Sequence, residues 1–93
     1  MKQTDFYEAI LVLKNKQEAY NFFKDLCTPQ EILALTERWR VCQLLNNEDL
    51  SYREIHALTG ASLTTIGRVA RFLKDETYQG YRTILDRLQK KKS

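Results

Sequence analysis

The stretch SYREIHALTGASLTTIGRVARFLK, residues 51–74, decides how this chain is read. Ser51-Tyr52-Arg53-Glu54 has the form of a capping box, in which the serine serves a backbone N–H three residues on and the glutamate reaches back. It predicts a short helix ending at Thr59, closed by Gly60 in the left-handed conformation that glycine adopts without penalty. Ala61 and Ser62 follow, and a further helix is expected from about Leu63 to Lys74. Ile55 and Leu58 are expected to face inward from the first helix, and Leu63, Ile66, Val69, Phe72 and Leu73 from the second. Ala57 is small enough to allow close helix approach near the turn. Thr64, Thr65, Arg68 and Arg71 are expected to point outward. Two short helices joined by a glycine turn, the second of them basic, make a helix-turn-helix pattern. Hydroxyls bond base edges or phosphates, and arginine is the commonest reader of guanine. Four basic residues in the stretch, Arg53, Arg68, Arg71 and Lys74, stand against one acidic residue, Glu54, which the cap occupies. Helix pairs of this kind also serve structural and protein-binding roles, so the pattern alone leaves those uses open.

On the N-terminal side, Thr28-Pro29-Gln30-Glu31 is a second helix start: threonine caps, proline suits the first helical position and Glu31 completes the box. The helix is expected to run to about Leu45 with Ile32, Leu35, Trp39 and Cys42 on one face and Trp39 in the core. Arg38 and Arg40 leave on other faces, where Glu37 or Glu31 are available as ion-pair partners. Asn46-Asn47, Glu48 and Asp49 read as a turn. Further upstream, about Asp5–Leu26 is expected to form one helix carrying Phe6, Ile10, Leu13, Tyr20 and Phe23 at helical spacing. Ala9, Val12, Ala19 and Leu26 widen that stripe, so the helix needs cover on more than one side. Downstream, Asp75-Glu76-Thr77 is a break. A last helix over about Tyr78–Gln89 carries Tyr81, Ile84, Leu85 and Leu88, weakened at its start by Gly80, before a fraying Lys90–Lys92 tail.

The 93 residues allow a single domain, with 43% hydrophobic residues for a small core. Three Gly and one Pro interrupt a chain otherwise rich in helix formers, so the fold class is all-α. The net charge of +3 is unevenly spread: residues 1–50 hold 6 Lys/Arg and 8 Asp/Glu, residues 51–93 hold 9 and 4. The basic C-terminal half is the electrostatic footprint expected of a phosphate-binding surface. Cys27 and Cys42 read as small buried hydrophobes in a reducing cytosol. With His56 they make too few ligands for zinc, so no metal and no cofactor are expected. No apolar run suits a signal peptide or a membrane span, which points to a cytoplasmic protein.

From Thr28 to about Leu88 the chain resembles the Trp repressor superfamily, and is most similar to the YerC/YecD family of small Trp-repressor-like proteins of Gram-positive bacteria. The matching blocks are Thr28-Pro29-Gln30-Glu31, Ala34-Leu35-Thr36-Glu37-Arg38-Trp39-Arg40, Ser51-Tyr52-Arg53-Glu54-Ile55, Leu58-Thr59-Gly60-Ala61-Ser62, Thr64-Thr65-Ile66-Gly67-Arg68 and Leu73-Lys74. The resemblance implies a Trp-repressor-like helical bundle forming an intertwined homodimer. Residues 1–50 would supply dimerisation helices, 51–74 the helix-turn-helix and 77–93 the C-terminal helix and basic tail. Two reading heads would enter successive major grooves of double-stranded DNA about 34 Å apart. The residues that the resemblance places against DNA are Tyr52, Arg53, His56, Leu63, Thr64, Thr65 and Gly67, with Arg68 and Arg71 added as outward cations.

The namesake of the superfamily holds tryptophan with two arginines, matched by Arg38 and Arg68. Where it has a glycine that leaves room for the indole this chain has Val69, and where it has a serine for the ligand's amino group this chain has Phe72. A buried amino group without a partner costs about 1–3 kcal/mol. The expectation is a vestigial effector pocket, Arg38, Arg68, Val69 and Phe72, filled by the protein itself, with a different small-molecule effector left open. The chain therefore reads as a DNA-binding transcriptional regulator, a repressor in its expected action, that does not use tryptophan as corepressor. The alternative is a helix-turn-helix dimer serving as a protein-interaction module of the transcription machinery. Nothing supports an enzyme, since there is no nucleophile–base pair and no glycine-rich phosphate loop.

Overall fold

The computed structural model describes residues 2–47 and 49–92. They form six helices: α1 (Phe6–Leu11), α2 (Lys16–Leu26), α3 (Pro29–Asn46), α4 (Tyr52–Thr59), α5 (Leu63–Lys74) and α6 (Gly80–Lys92). No strand occurs among the described residues, as the all-α reading requires. The chain divides into two compact units, residues 1–33 and 34–93, with the boundary inside α3.

In the first unit, the single helix expected over about Asp5–Leu26 is two helices. Asp5 caps α1 through a reciprocal box, accepting the Glu8 N–H at 2.8 Å while Glu8 accepts the Asp5 N–H at 3.3 Å. The chain then tightens, with Val12 N–H donating to Ala9 and Leu13 N–H to Ile10. Asn15 starts α2 afresh, its Oδ1 accepting the Glu18 N–H at 2.8 Å, and Glu18 accepts the Lys14 N–H at 3.0 Å. Asparagine favours this role because its short side chain competes for nearby backbone groups. Phe6, Phe22 and Phe23 form an aromatic cluster, Phe22 lying stacked on Phe6 and Phe23 edge-on to both. Neither α1 nor α2 contains a fully buried residue. Tyr7, Leu11 and Val12 stand 74%, 83% and 73% exposed.

The second unit holds the core: Val41, Cys42 and Leu45 from α3, Ile55 from α4, Ala61 from the following turn, Ile66, Val69, Ala70 and Leu73 from α5, and Leu85 from α6. Trp39, Leu44, Leu50 and Tyr81 pack against its edge. Thr28 and Glu31 form the expected box, with backbone-to-side-chain bonds of 2.8 and 3.2 Å. On the expected apolar face of α3 Cys42 is buried, but Leu35 is exposed. Cys27 is half-buried rather than buried. Of the expected Asn46–Asp49 turn, Asn47 is in a turn and Glu48 lies outside the described residues. Arg82 Nη1 donates to Asn46 Oδ1 at 3.0 Å, tying α6 to the end of α3.

The last helix starts two residues later than expected and runs farther. Gln79 takes a left-handed φ of 60°, and its carbonyl accepts both the backbone N–H and the hydroxyl of Thr83. That geometry sets the helix start at Gly80 and leaves Tyr78 outside it. At the other end the lysines lie within the helix rather than in a fraying tail, where cations suit the negative end of the helix dipole.

Burial pushes the Cys42 thiol up to about 11, against a smaller opposing effect of Arg82, and burial likewise raises the Tyr81 phenol. In the unfolded chain the Cys42 thiol ionises near its ordinary value of 9.0. Between pH 9 and 11 the folded state thus binds more protons, and stability falls as pH rises. Urea unfolding at stepped pH is expected to show full stability below pH 9. From there to pH 11 about 2–3 kcal/mol is lost through this thiol. Cys42→Ala, though less stable throughout, is expected to show a shallower alkaline loss, with the remainder due to Tyr81.

Candidate nucleic-acid interface

The helix-turn-helix is assembled by local chemistry. Ser51 Oγ accepts the Glu54 N–H at 3.1 Å and Glu54 accepts the Ser51 N–H at 3.0 Å. These bonds hold the Glu54 carboxyl below its ordinary range, so the one acidic group of the motif is engaged at the start of α4. Gly60 ends α4 with φ 77°, its N–H donating to the His56 carbonyl.

The turn that follows is held by side chains of α4. Ala61 is fully buried, 1% exposed, and both of its backbone polar groups are paired: its N–H donates to Thr59 Oγ1 at 3.0 Å and its carbonyl accepts from His56 Nδ1 at 2.6 Å. A carbonyl only accepts, so Nδ1 carries the proton. Thr59 in turn donates to the Ile55 carbonyl at 2.7 Å. His56, expected as a DNA-facing residue, thus also latches the turn, a role its position in the sequence did not reveal. The small residue at the packed turn is Ala61; Ala57 is exposed.

Ser62 caps α5, accepting the Thr65 N–H at 3.1 Å and donating to the Thr65 hydroxyl at 3.1 Å. Thr65 is therefore half-buried and engaged in the cap rather than pointing freely outward. Leu58 and Leu63, expected inward, are 53% and 55% exposed. Ile55 alone is buried in α4, while the buried stripe of α5 begins at Ile66. Tyr52, Arg53, His56, Leu63, Thr64, Arg68 and Arg71 are exposed and Gly67 is half-buried.

Beyond Gly67 the chemistry of α5 changes. The Arg68 guanidinium lies 4.4 Å from the Phe72 ring centroid and that of Arg71 5.3 Å. Tyr78 stacks on the same ring, with a centroid separation of 6.3 Å and a 15° tilt, and Arg71 Nε pairs with Glu76 at 2.8 Å. Phe72 is thus half-buried under cations and a tyrosine instead of pointing into the core. Of the expected effector-pocket residues, Val69 is 1% exposed and packed in the core. Arg38 and Arg68 both act on the Tyr81 phenol: burial and the nearby Cys42 raise its pKa, while the two guanidiniums lower it. Tyr81, expected from sequence as an apolar residue of the last helix, packs against the edge of the core at this point. Among the described residues no group of His, Cys, Asp or Glu is arranged to hold a metal ion, and no helix is long and apolar enough to cross a membrane.

Two substitutions separate the contributions to the turn. A Cβ at Gly60 meets nothing within 4 Å, so Gly60→Ala is expected to cost only the left-handed backbone penalty of about 1–2 kcal/mol. His56→Ala leaves the buried Ala61 carbonyl without its partner and is expected to cost about 1–3 kcal/mol. Both are read by urea unfolding of the variants beside the parent chain.

A family model described as Trp repressor protein matches residues 2–89. An uncharacterized Bacillus subtilis protein, YerC, is 42% identical over 83 residues, covering 89% of this chain and 78% of YerC. Among solved structures, a TrpR-like protein from Eubacterium eligens is 44% identical with a TM-score of 0.81, covering 89% of this chain and 84% of that one. A candidate Trp repressor from Staphylococcus aureus is 41% identical, also with a TM-score of 0.81, over 89% and 81% of the two chains. The match of fold, helix-turn-helix and sequence along nearly the whole length means that this chain belongs to the Trp repressor protein family.

Proposed function

We propose that this protein is a sequence-specific, double-stranded-DNA-binding transcriptional regulator of the bacterial cytoplasm, a repressor that acts as a homodimer and does not require tryptophan. The observation that carries this reading is the latched α4–α5 turn. It presents the first residues of a capped helix, Leu63 and Thr64, to solvent, with Arg68, Arg71 and Lys74 following on the same helix. In proteins of this architecture the start of the second helix meets base edges in the major groove. Tyr52, Arg53 and His56 at α4, with Leu63, Thr64, Thr65, Gly67, Arg68 and Arg71 at α5, are the residues assigned to DNA.

The dimer is supported by the first unit, whose two helices leave Tyr7, Leu11, Val12 and Tyr20 more than half exposed. A second copy of the chain would cover that surface and set two reading heads about 34–36 Å apart. Independence from tryptophan is supported by the Arg38 and Arg68 neighbourhood. Val69 is part of the packed core, the Phe72 ring underlies Arg68, and both arginines act on the Tyr81 phenol. Arg68, one of the two arginines that the resemblance assigns to the ligand, is thus engaged with the protein's own Phe72 ring.

Selection of duplexes from sheared genomic DNA is expected to recover a few sites sharing a near-palindrome, bound by two copies of the chain. Affinity for such a site is expected to fall about 1,000-fold between roughly 50 and 200 mM salt, for six phosphate contacts. A protein-binding module would recover no sites and show little salt dependence in its own interface. Calorimetric titration with tryptophan is expected to show no binding; a micromolar affinity would remove the corepressor-independent reading.

A further inference from the structure

We propose that the base-reading end of α5 recognises thymine methyl groups by close apolar approach, through Leu63 and the bare backbone at Gly67, and does not read guanine. This rests on the DNA-binding reading above and names what that surface selects.

Three observations carry it. Leu63 is the first residue of α5 and is 55% exposed. No apolar neighbour in this chain covers that much of it, so it presents methyl groups outward where base edges are met. Gly67, four residues on, shares its side of the helix. A mid-helix glycine costs about 1 kcal/mol relative to alanine, and nothing in the fold demands it here: a Cβ would meet no atom within 4 Å, and the backbone is ordinary helix. The missing side chain instead leaves clearance on an outward-facing turn, where a base edge or its methyl can approach the backbone. Third, the arginines of α5, which are suited to guanine, are directed elsewhere. From Leu63 to Gly67 the helix carries no charged side chain. Arg68 lies over Phe72, and Arg71 is held by Glu76.

In the major groove the C5-methyl of thymine is the apolar feature of the base edges, whereas guanine offers two acceptors that call for bidentate arginine or lysine. A leucine, a threonine with its own methyl, and an open glycine complement the first and not the second. The engaged arginines remain placed for phosphates, which position the head without choosing sequence.

The experiment uses the full chain and the duplex it selects, with deoxyuridine replacing thymidine one position at a time. That change removes the 5-methyl and leaves base pairing intact. At the thymines facing the head, the parent chain is expected to lose about fourfold in affinity per methyl, or roughly 0.8 kcal/mol. Leu63→Ala, at an exposed position that keeps the fold, is expected to lose the discrimination between thymidine and deoxyuridine at the position that Leu63 contacts. Gly67→Ala is expected to unfold at a higher temperature yet bind the selected site at least about tenfold more weakly, a split that a purely structural glycine would not produce. Selected sites that keep full affinity after every uridine replacement, or whose base pairs facing the start of α5 are fixed as G·C, would overturn methyl reading while leaving DNA binding intact. Recovery of no sites at all would overturn both readings.

Discussion

The buried Ala61 is the constraint on which the interface depends. It sits between two helices in a turn too short for regular hydrogen bonding, yet a buried peptide group left unpaired is costly. Two side chains of α4 resolve the conflict, Thr59 for its N–H and His56 for its carbonyl, while Gly60 supplies the left-handed step that brings Ala61 back toward Ile55 and the core. The direction in which α5 leaves the turn is then fixed by bonds originating in α4. The helix that carries the residues proposed to read DNA is oriented before any partner arrives, so little ordering would remain to oppose binding.

Along α5 the same logic separates two tasks. Its buried stripe, Ile66, Val69, Ala70 and Leu73, anchors it to the core. The exposed side is apolar and open at the start and cationic at the end, where positive charge suits the helix dipole. The cations there are not loose. Arg68 and Arg71 lie over the Phe72 ring, on which Tyr78 stacks, and Glu76 pairs with Arg71, which limits the side-chain freedom that a phosphate contact would have to restrict. Each such cation–aromatic contact contributes about 0.5–1 kcal/mol at an exposed site, enough to set a preferred pose without preventing release.

What the sequence disclosed was the chemistry acting over three or four residues. The capping boxes at Thr28 and Ser51 and the glycine stop at position 60 were legible because their partners lie within the same turn. The break between α1 and α2 was hidden, since Val12–Asn15 contains neither Gly nor Pro and an apolar stripe at helical spacing runs through it, although Asn15 and Glu18 stand at the same capping distance. The inward assignment of Leu58 and Leu63 failed for a tertiary reason: the buried Ile55 and Ala61 complete the packing beneath the turn. The latch made by His56 spans five residues across a change of direction, and Tyr81 reaches the edge of the core only once the helices have packed. Contacts of that range leave no periodicity to read.

The first unit shows what the fold lacks by itself. Helices of 6 and 11 residues are shorter than those that persist alone in water, where about 12–15 residues are marginal. Caps at Asp5 and Asn15 add about 1 kcal/mol each, and the Phe6–Phe22–Phe23 cluster adds contacts among half-exposed rings. Neither replaces the burial that normally stabilises an amphipathic helix, and no residue of α1 or α2 is fully buried. The uncovered residues are large and apolar, so covering them would contribute about 25 cal/mol for each Å² removed from water. A polar or nucleic-acid partner would forgo that gain. A second copy would supply the same apolar face in return, and a two-fold pairing of copies would also produce the paired reading heads that the proposed near-palindromic site requires. In the proposed dimer, folding of the first unit and symmetry of the DNA site would be met by one association.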